Sequence, residues 1–111
     1  MIDWDRADEL LREIGEEDFA EVADVFIDEL NDVLGSLTAD QDHAEIQQSM
    51  HFIKGCALNI GFERLAELAS QAERCAANEQ ETGYVDLNAL RDVFQRSKTA
   101  FASRFGDPAA A

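Results

Sequence analysis

The sequence predicts an all-α fold: an up-down-up-down antiparallel four-helix bundle with an additional short N-terminal helix. Three observations lead there. Apolar residues recur at helical spacing in five separate segments. Sustained two-residue alternation and Asn-Gly or Asp-Gly hairpin signals are missing. Cap and stop residues fall between the segments. With 111 residues, 46% of them hydrophobic, and a single proline, the chain has material for one domain with its own core.

The first helix runs from about Trp4 to Ile14, carries Ala7, Leu10, Leu11 and Ile14, and stops at Gly15. The second runs from about Glu17 to Leu37. Asp18 and Glu21 form a D-x-x-E start resembling a capping box, ahead of a stripe of Phe19, Val22, Ala23, Phe26, Leu30, Val33, Leu34 and Leu37. The third, from about His43 to Ile60, follows Asp42, an N-cap residue with Glu45 three positions on. Its stripe is Ile46, Met50, Ile53, Ala57 and Ile60, and Gly61 stands where a left-handed residue ends a helix at low steric cost.

The fourth helix, about Phe62 to Asn78, buries Leu65, Leu68, Ala69, Ala72 and Ala76, and a polar loop holding Gly83 follows it. The fifth runs from an Asp86 cap to Phe105, with Leu87, Leu90, Phe94, Phe101 and Phe105 inward. Residues 1–105 are therefore expected to form a single domain, and 106–111, beginning Gly106-Asp107-Pro108, a flexible tail. Each of the four long helices spans about 25–30 Å at 1.5 Å per residue. Short connections make consecutive helices antiparallel neighbours.

Charge narrows the function. The net charge is −15, with 24 acidic against 9 basic residues, and residues 1–45 alone hold 16 Asp/Glu and only Arg6 and Arg12. Nucleic acid is disfavoured as a partner, because binding a polyanion relies on Lys and Arg to neutralise phosphates. A surface that approaches phosphates is expected in the second half. No apolar run approaches a membrane span, and Met1-Ile2-Asp3-Trp4-Asp5 lacks the basic start of a signal peptide, so a cytoplasmic protein without a membrane partner is expected. Cys56 and Cys75, 19 apart, fit neither a disulfide scaffold nor a zinc site, and no metal site is expected.

A bundle supports many functions, so the function must come from a site. Taking the mean direction of the third helix's stripe at 100° per residue, His51 points roughly 140° away from the core. Gly55 lies one turn further on and nearly in line, and Lys54 is displaced toward the flank. A mid-helix glycine costs ~1 kcal/mol relative to alanine. Beside an outward histidine it leaves the ring uncrowded and open to another protein's approach. Lys54 supplies positive charge near anything attached to the ring. A nucleophile, a cation and cleared space together suit acceptance of a phosphoryl group.

The stretch His51-Phe52-Ile53-Lys54-Gly55-Cys56-Ala57-Leu58-Asn59-Ile60-Gly61 resembles the signature of the histidine-phosphotransfer (HPt) family. In that signature Lys and Gly follow the histidine by three and four residues, Asn or Ser often by eight, and Gly by ten. The likeness extends over most of residues 15–105. Leu58 stands where the family commonly has a small residue, and Cys56 where Ser or Ala is frequent; Leu58 could alter which receiver docks.

The resemblance implies a phosphorelay intermediate. His51 would take the phosphoryl group from a phospho-aspartyl receiver domain or a histidine kinase and pass it to another receiver domain, in response regulators or hybrid kinases. Lys54 would stabilise the added charge and Gly55 keep access open. Mg²⁺ would be supplied by the receiver, so no cofactor of the chain's own is implied. The chain would be a phosphocarrier without independent kinase activity. Gln47, Gln48, Phe52 and Leu58 are the candidate docking residues, and Asn59 and Gly61 belong to the turn into the fourth helix.

Two other classes of function compete with this one. Di-iron bundles use Glu-x-x-His pairs, but Gln48 precedes His51 by three and Asp40 precedes His43 by three. An HPt-like docking module that binds receivers or kinases without carrying phosphate is the stronger rival. The intact His, Lys and Gly set argues against it. His43, at a helix start, is expected to be an exposed terminal residue, since positive charge is poorly placed there.

Overall fold

Local sequence decides where each helix begins. The structure, a computed structural model, describes residues 1–38, 40–77 and 86–106. They form α1 (Trp4–Ile14), α2 (Glu16–Ser36), α3 (His43–Ile60), α4 (Glu63–Ala77) and α5 (Leu87–Phe105). Three helices start on an aspartate whose carboxylate accepts the N–H three residues on. Asp3 caps α1 through Arg6 at 3.1 Å, Asp42 caps α3 through Glu45 at 2.8 Å, and Asp86 caps α5 through Ala89 at 2.9 Å. Each such cap stabilises its helix by about 1 kcal/mol.

Helix α2 departs from expectation. It starts at Glu16, and its N-cap position is Gly15, at φ +93° and with no side-chain cap bond. The Gly15 N–H donates to Leu11 at the end of α1 (2.8 Å), and its carbonyl accepts from Phe19 in α2 (3.0 Å). One residue thus joins two helices, which the left-handed side of φ space allows glycine at little cost. Asp18 therefore lies inside the first turn with Glu16 and Glu17, where carboxylates face the positive end of the helix dipole, and does not cap.

Packing of α2 on α3, α3 on α4, α4 on α5 and α5 back on α2 closes a four-helix bundle, with α1 against α2 and α3. Contacts at the two ends make neighbours antiparallel. At one end, the start of α2 meets the end of α5: the Phe19 ring lies 5.9 Å from Phe101 and 5.1 Å from Phe105. At the other, Arg91 near the start of α5 donates to the carbonyls of Leu34 (3.1 and 3.0 Å) and Leu37 (2.8 Å), where α2 ends. Leu34 stands in the last turn of α2 and Leu37 just after it, where carbonyls lack helical partners, so the guanidinium satisfies them.

The core adds residues that the apolar stripes did not predict. Phe62, expected as the first residue of the fourth helix, sits in the α3–α4 turn and is fully buried. Its ring lies 5.8 Å from Phe101 and 6.5 Å from Phe94. Ala66 is buried in α4, whereas Leu68 is half-buried. Ser97 is fully buried, and its Oγ has no hydrogen-bond partner among the described residues. The expected end of the fourth helix at Asn78, the loop with Gly83 and residues 107–111 of the expected tail lie outside the described residues.

The α3–α4 turn is pinned from three sides. Gly61 ends α3 in the left-handed conformation (φ +88°, ψ +17°), and the N–H groups of Gly61 and Phe62 converge on the Ala57 carbonyl. The Gly61 carbonyl accepts from Asp3 at 2.7 Å, and Arg64 donates to Met1 at 3.1 Å. Asn59, expected to belong to this turn, serves it through its backbone. Its side chain is exposed, and its carbonyl accepts from Arg6 Nε at 3.1 Å, which ties the end of α3 to α1 and not to α4. The register of the α3–α4 hairpin follows from this anchorage.

Candidate functional site

The hairpin brings together two residues that are far apart in sequence. His51 lies eleven residues before Phe62 and Glu73 eleven after it. Eleven residues are close to three helical turns, about 16.5 Å of axis, so both side chains come back to one face at one height. His51 Nδ1 is 3.2 Å from Glu73 Oε1, and Lys54 Nζ is 2.9 Å from Glu73 Oε2. The two carboxylate oxygens thus hold the imidazole and the ammonium side by side.

The solvent environment of the three groups differs. The His51 side chain is 72% exposed, Lys54 29% and Glu73 21%. The Lys54 ammonium, helped by His51, holds the Glu73 carboxyl below the usual carboxylate range against the opposing effect of partial burial. Glu73 is therefore ionised at neutral pH, and an ionised carboxylate can only accept hydrogen bonds. The proton of that contact must sit on His51 Nδ1, which leaves Nε2 of a neutral ring with a free lone pair. Lys54 is correspondingly engaged with a carboxylate, not free beside the ring as its spacing alone suggests.

Open space surrounds the histidine. A Cβ built on Gly55 would meet nothing within 4 Å, so no neighbour inside the bundle requires a glycine there. Ala44, Gln47, Gln48, His51 and Glu73 line a shallow depression along the α3–α4 groove. A second depression is lined by Lys54, Leu58 and the α4 residues Glu63, Ala66, Glu67 and Ser70. Gln47, Gln48, Phe52 and Leu58 all lie on the surface, with Phe52 42% and Leu58 55% exposed. Phe52 stands apart from the groove: one turn on, the Cys56 thiol lies 3.9 Å from Glu29 of α2. Burial pushes the Cys56 thiol pKa up, and the Glu29 charge adds to it, so this thiol is a poor nucleophile. His43 is exposed at the start of α3, eight residues before His51.

The family model described as Hpt domain matches residues 17–100, which takes in α2, α3, α4 and most of α5. The chain belongs to the Hpt domain family. Hpt domains are phosphocarrier modules of phosphorelays, acting by histidine phosphotransfer among two-component proteins such as receiver domains and kinases. No curated protein and no solved structure matches the chain. Among the described residues of this Hpt domain, no helix is long and apolar enough to cross a membrane.

Sequence reasoning missed Glu73. A search for partners within a turn of His51 on its own helix passes over a residue 22 positions away. The signal was nevertheless present. Once Phe62 is taken as the midpoint of a helical hairpin, residues equidistant from it are level neighbours, and Glu73 is the residue that mirrors His51.

Proposed function

We propose that this Hpt domain is a relay intermediate whose phosphoacceptor is His51. Nε2 attacks the phosphorus of a receiver's aspartyl phosphate, or of a histidine kinase's phosphohistidine, and the same group is later passed to another receiver. The observation that carries the reading is the pairing of an exposed imidazole with a carboxylate on Nδ1, beside a Gly55 surface with nothing above it. That pairing directs the lone pair to Nε2. In phosphoryl transfer charge gathers on the equatorial oxygens, so positioned cations matter most. Lys54 is the nearby cation on this chain, and Mg²⁺ is expected from the receiver.

Docking is assigned to the exposed face around the ring, namely Gln47, Gln48, Phe52 and Leu58. The chain itself acts as a carrier without kinase activity of its own. The test is transfer from a labelled phospho-receiver to the wild type, His51→Gln and His43→Gln. Acid-labile, base-stable label on the wild type and His43→Gln but not on His51→Gln is the expected outcome. Tight binding of receivers with no label on any form would replace the relay role with a phosphate-free docking module.

A further inference from the structure

Where a phosphoryl group on His51 lies follows from the edge of the ring that is already occupied, and rests on His51 being the phosphoacceptor. Nδ1 faces Glu73 of α4 at 3.2 Å. The two ring nitrogens point outward in nearly opposite directions, so Nε2 points away from α4. Lys54 marks the α4 flank of α3, because its ammonium is bonded to Glu73 at 2.9 Å. At about 100° per residue, Lys54 and Gln47 lie roughly 60° and roughly 40° from His51 on that flank. Gln48 lies about 60° round on the opposite flank, the side that Nε2 faces. Height agrees with direction. A helical side chain leans toward the N-terminus and covers the turn before its own Cα. The His51 ring therefore lies over the turn that holds Gln47 and Gln48, and both line one depression with it. On the Nε2 flank the other exposed neighbours within a turn are Phe52 and Gly55, neither of which has a side-chain donor.

We infer that Gln48 binds the phosphoryl group of phosphorylated His51, its carboxamide N–H donating to a phosphoryl oxygen on Nε2. A phosphoryl group brings negative charge and three strong acceptor oxygens, and a carboxamide offers two N–H donors. Lys54 contributes positive charge from the other flank with its ammonium held by Glu73, whereas Gln48 supplies a hydrogen bond on the side where the group forms. This contact belongs to the carrier alone. A residue that only meets a docked receiver changes how fast the group is exchanged. One that bonds the phosphoryl group changes how firmly the free carrier holds it.

The test uses the whole chain and needs no partner protein. Phosphoramidate loads the histidine: Nε2 attacks phosphorus, the bond from phosphorus to the ammonium nitrogen breaks, and its electron pair leaves with that nitrogen as ammonia. In excess ammonia the reaction runs both ways, and the ³¹P signal of phosphohistidine gives the loading equilibrium of wild type, Gln48→Ala and Gln48→Glu. Both substitutions fall on an exposed helical position, so neither disturbs the core. Loss of one hydrogen bond to a charged group at the surface should lower the equilibrium constant by about fivefold in Gln48→Ala. Gln48→Glu should lower it further, since a carboxylate has no donor and repels the group. An unchanged constant in Gln48→Ala overturns the inference; slower transfer to a receiver in that variant would then make Gln48 a docking residue only. Absence of phosphohistidine on the wild type, or label retained by His51→Gln, would instead remove the phosphoacceptor reading on which it rests.

Discussion

Replacing Gly55 with alanine should separate stability from function. Gly55 lies within α3, not at its end, and an added Cβ would meet nothing within 4 Å. Alanine in such a position gains about 1 kcal/mol of helix propensity with no packing loss to offset it. For a domain near 100 residues that corresponds to a rise in Tm of roughly 4–8 °C. On the functional side, a methyl group would stand on the surface a receiver must approach, four residues from His51. Overpacking a close interface by that much costs about 1–3 kcal/mol, so receiver-dependent transfer should slow by roughly fivefold to over a hundredfold. Calorimetry and a receiver-transfer assay read the two effects, with phosphoramidate labelling of His51 as a control expected to stay near wild type. A fall in Tm would refute the packing argument. Unaltered receiver transfer would refute the assignment of Gly55 to partner access.

Gly61→Ala should behave in the opposite way: its Cβ would lie 2.7 Å from the Asp3 carbonyl oxygen at φ +88°. Left-handed strain together with displacement of the α1 anchor should cost about 2–4 kcal/mol in urea unfolding, with α1 amides losing exchange protection first. Ser97→Ala removes a fully buried Oγ that has no partner among the described residues and should stabilise the protein by about 1 kcal/mol by the same measurement. Glu73, its carboxyl held below the ordinary value chiefly by Lys54, binds a proton more weakly folded than unfolded. Its contribution is therefore complete above the unfolded carboxylate range and is lost as pH falls through the lowered folded value. Glu73→Gln should flatten the acid limb of a stability–pH profile, and an unaltered limb would contradict the ion pair.

Much of the fold was legible because its signals are local. The stripe from Ile46 to Ile60, the Asp42 and Asp86 caps and the Gly61 stop each depend on neighbours within a turn or two, and they appear in the structure where periodicity puts them. His51, Lys54 and Gly55 could be placed on one exposed face by the same arithmetic. The start of α2 was misjudged because Gly15 serves two helices at once. A D-x-x-E pattern cannot reveal that the chain needs no separate cap there.

By itself, then, the sequence determined an all-helical chain with an outward histidine, because side-chain direction along a helix follows from residue spacing alone. The tertiary structure decided which groups meet that histidine. Whether Glu73 faces His51, and whether Lys54 is free or paired, depends on the register between α3 and α4. That register is held by a turn buried against Phe94 and Phe101 and strapped by α1 through Asp3, Met1 and Arg6. These contacts join residues up to 63 positions apart, Met1 to Arg64 being the widest of them. Hydrophobic periodicity, which repeats every few residues, carries no information over that distance.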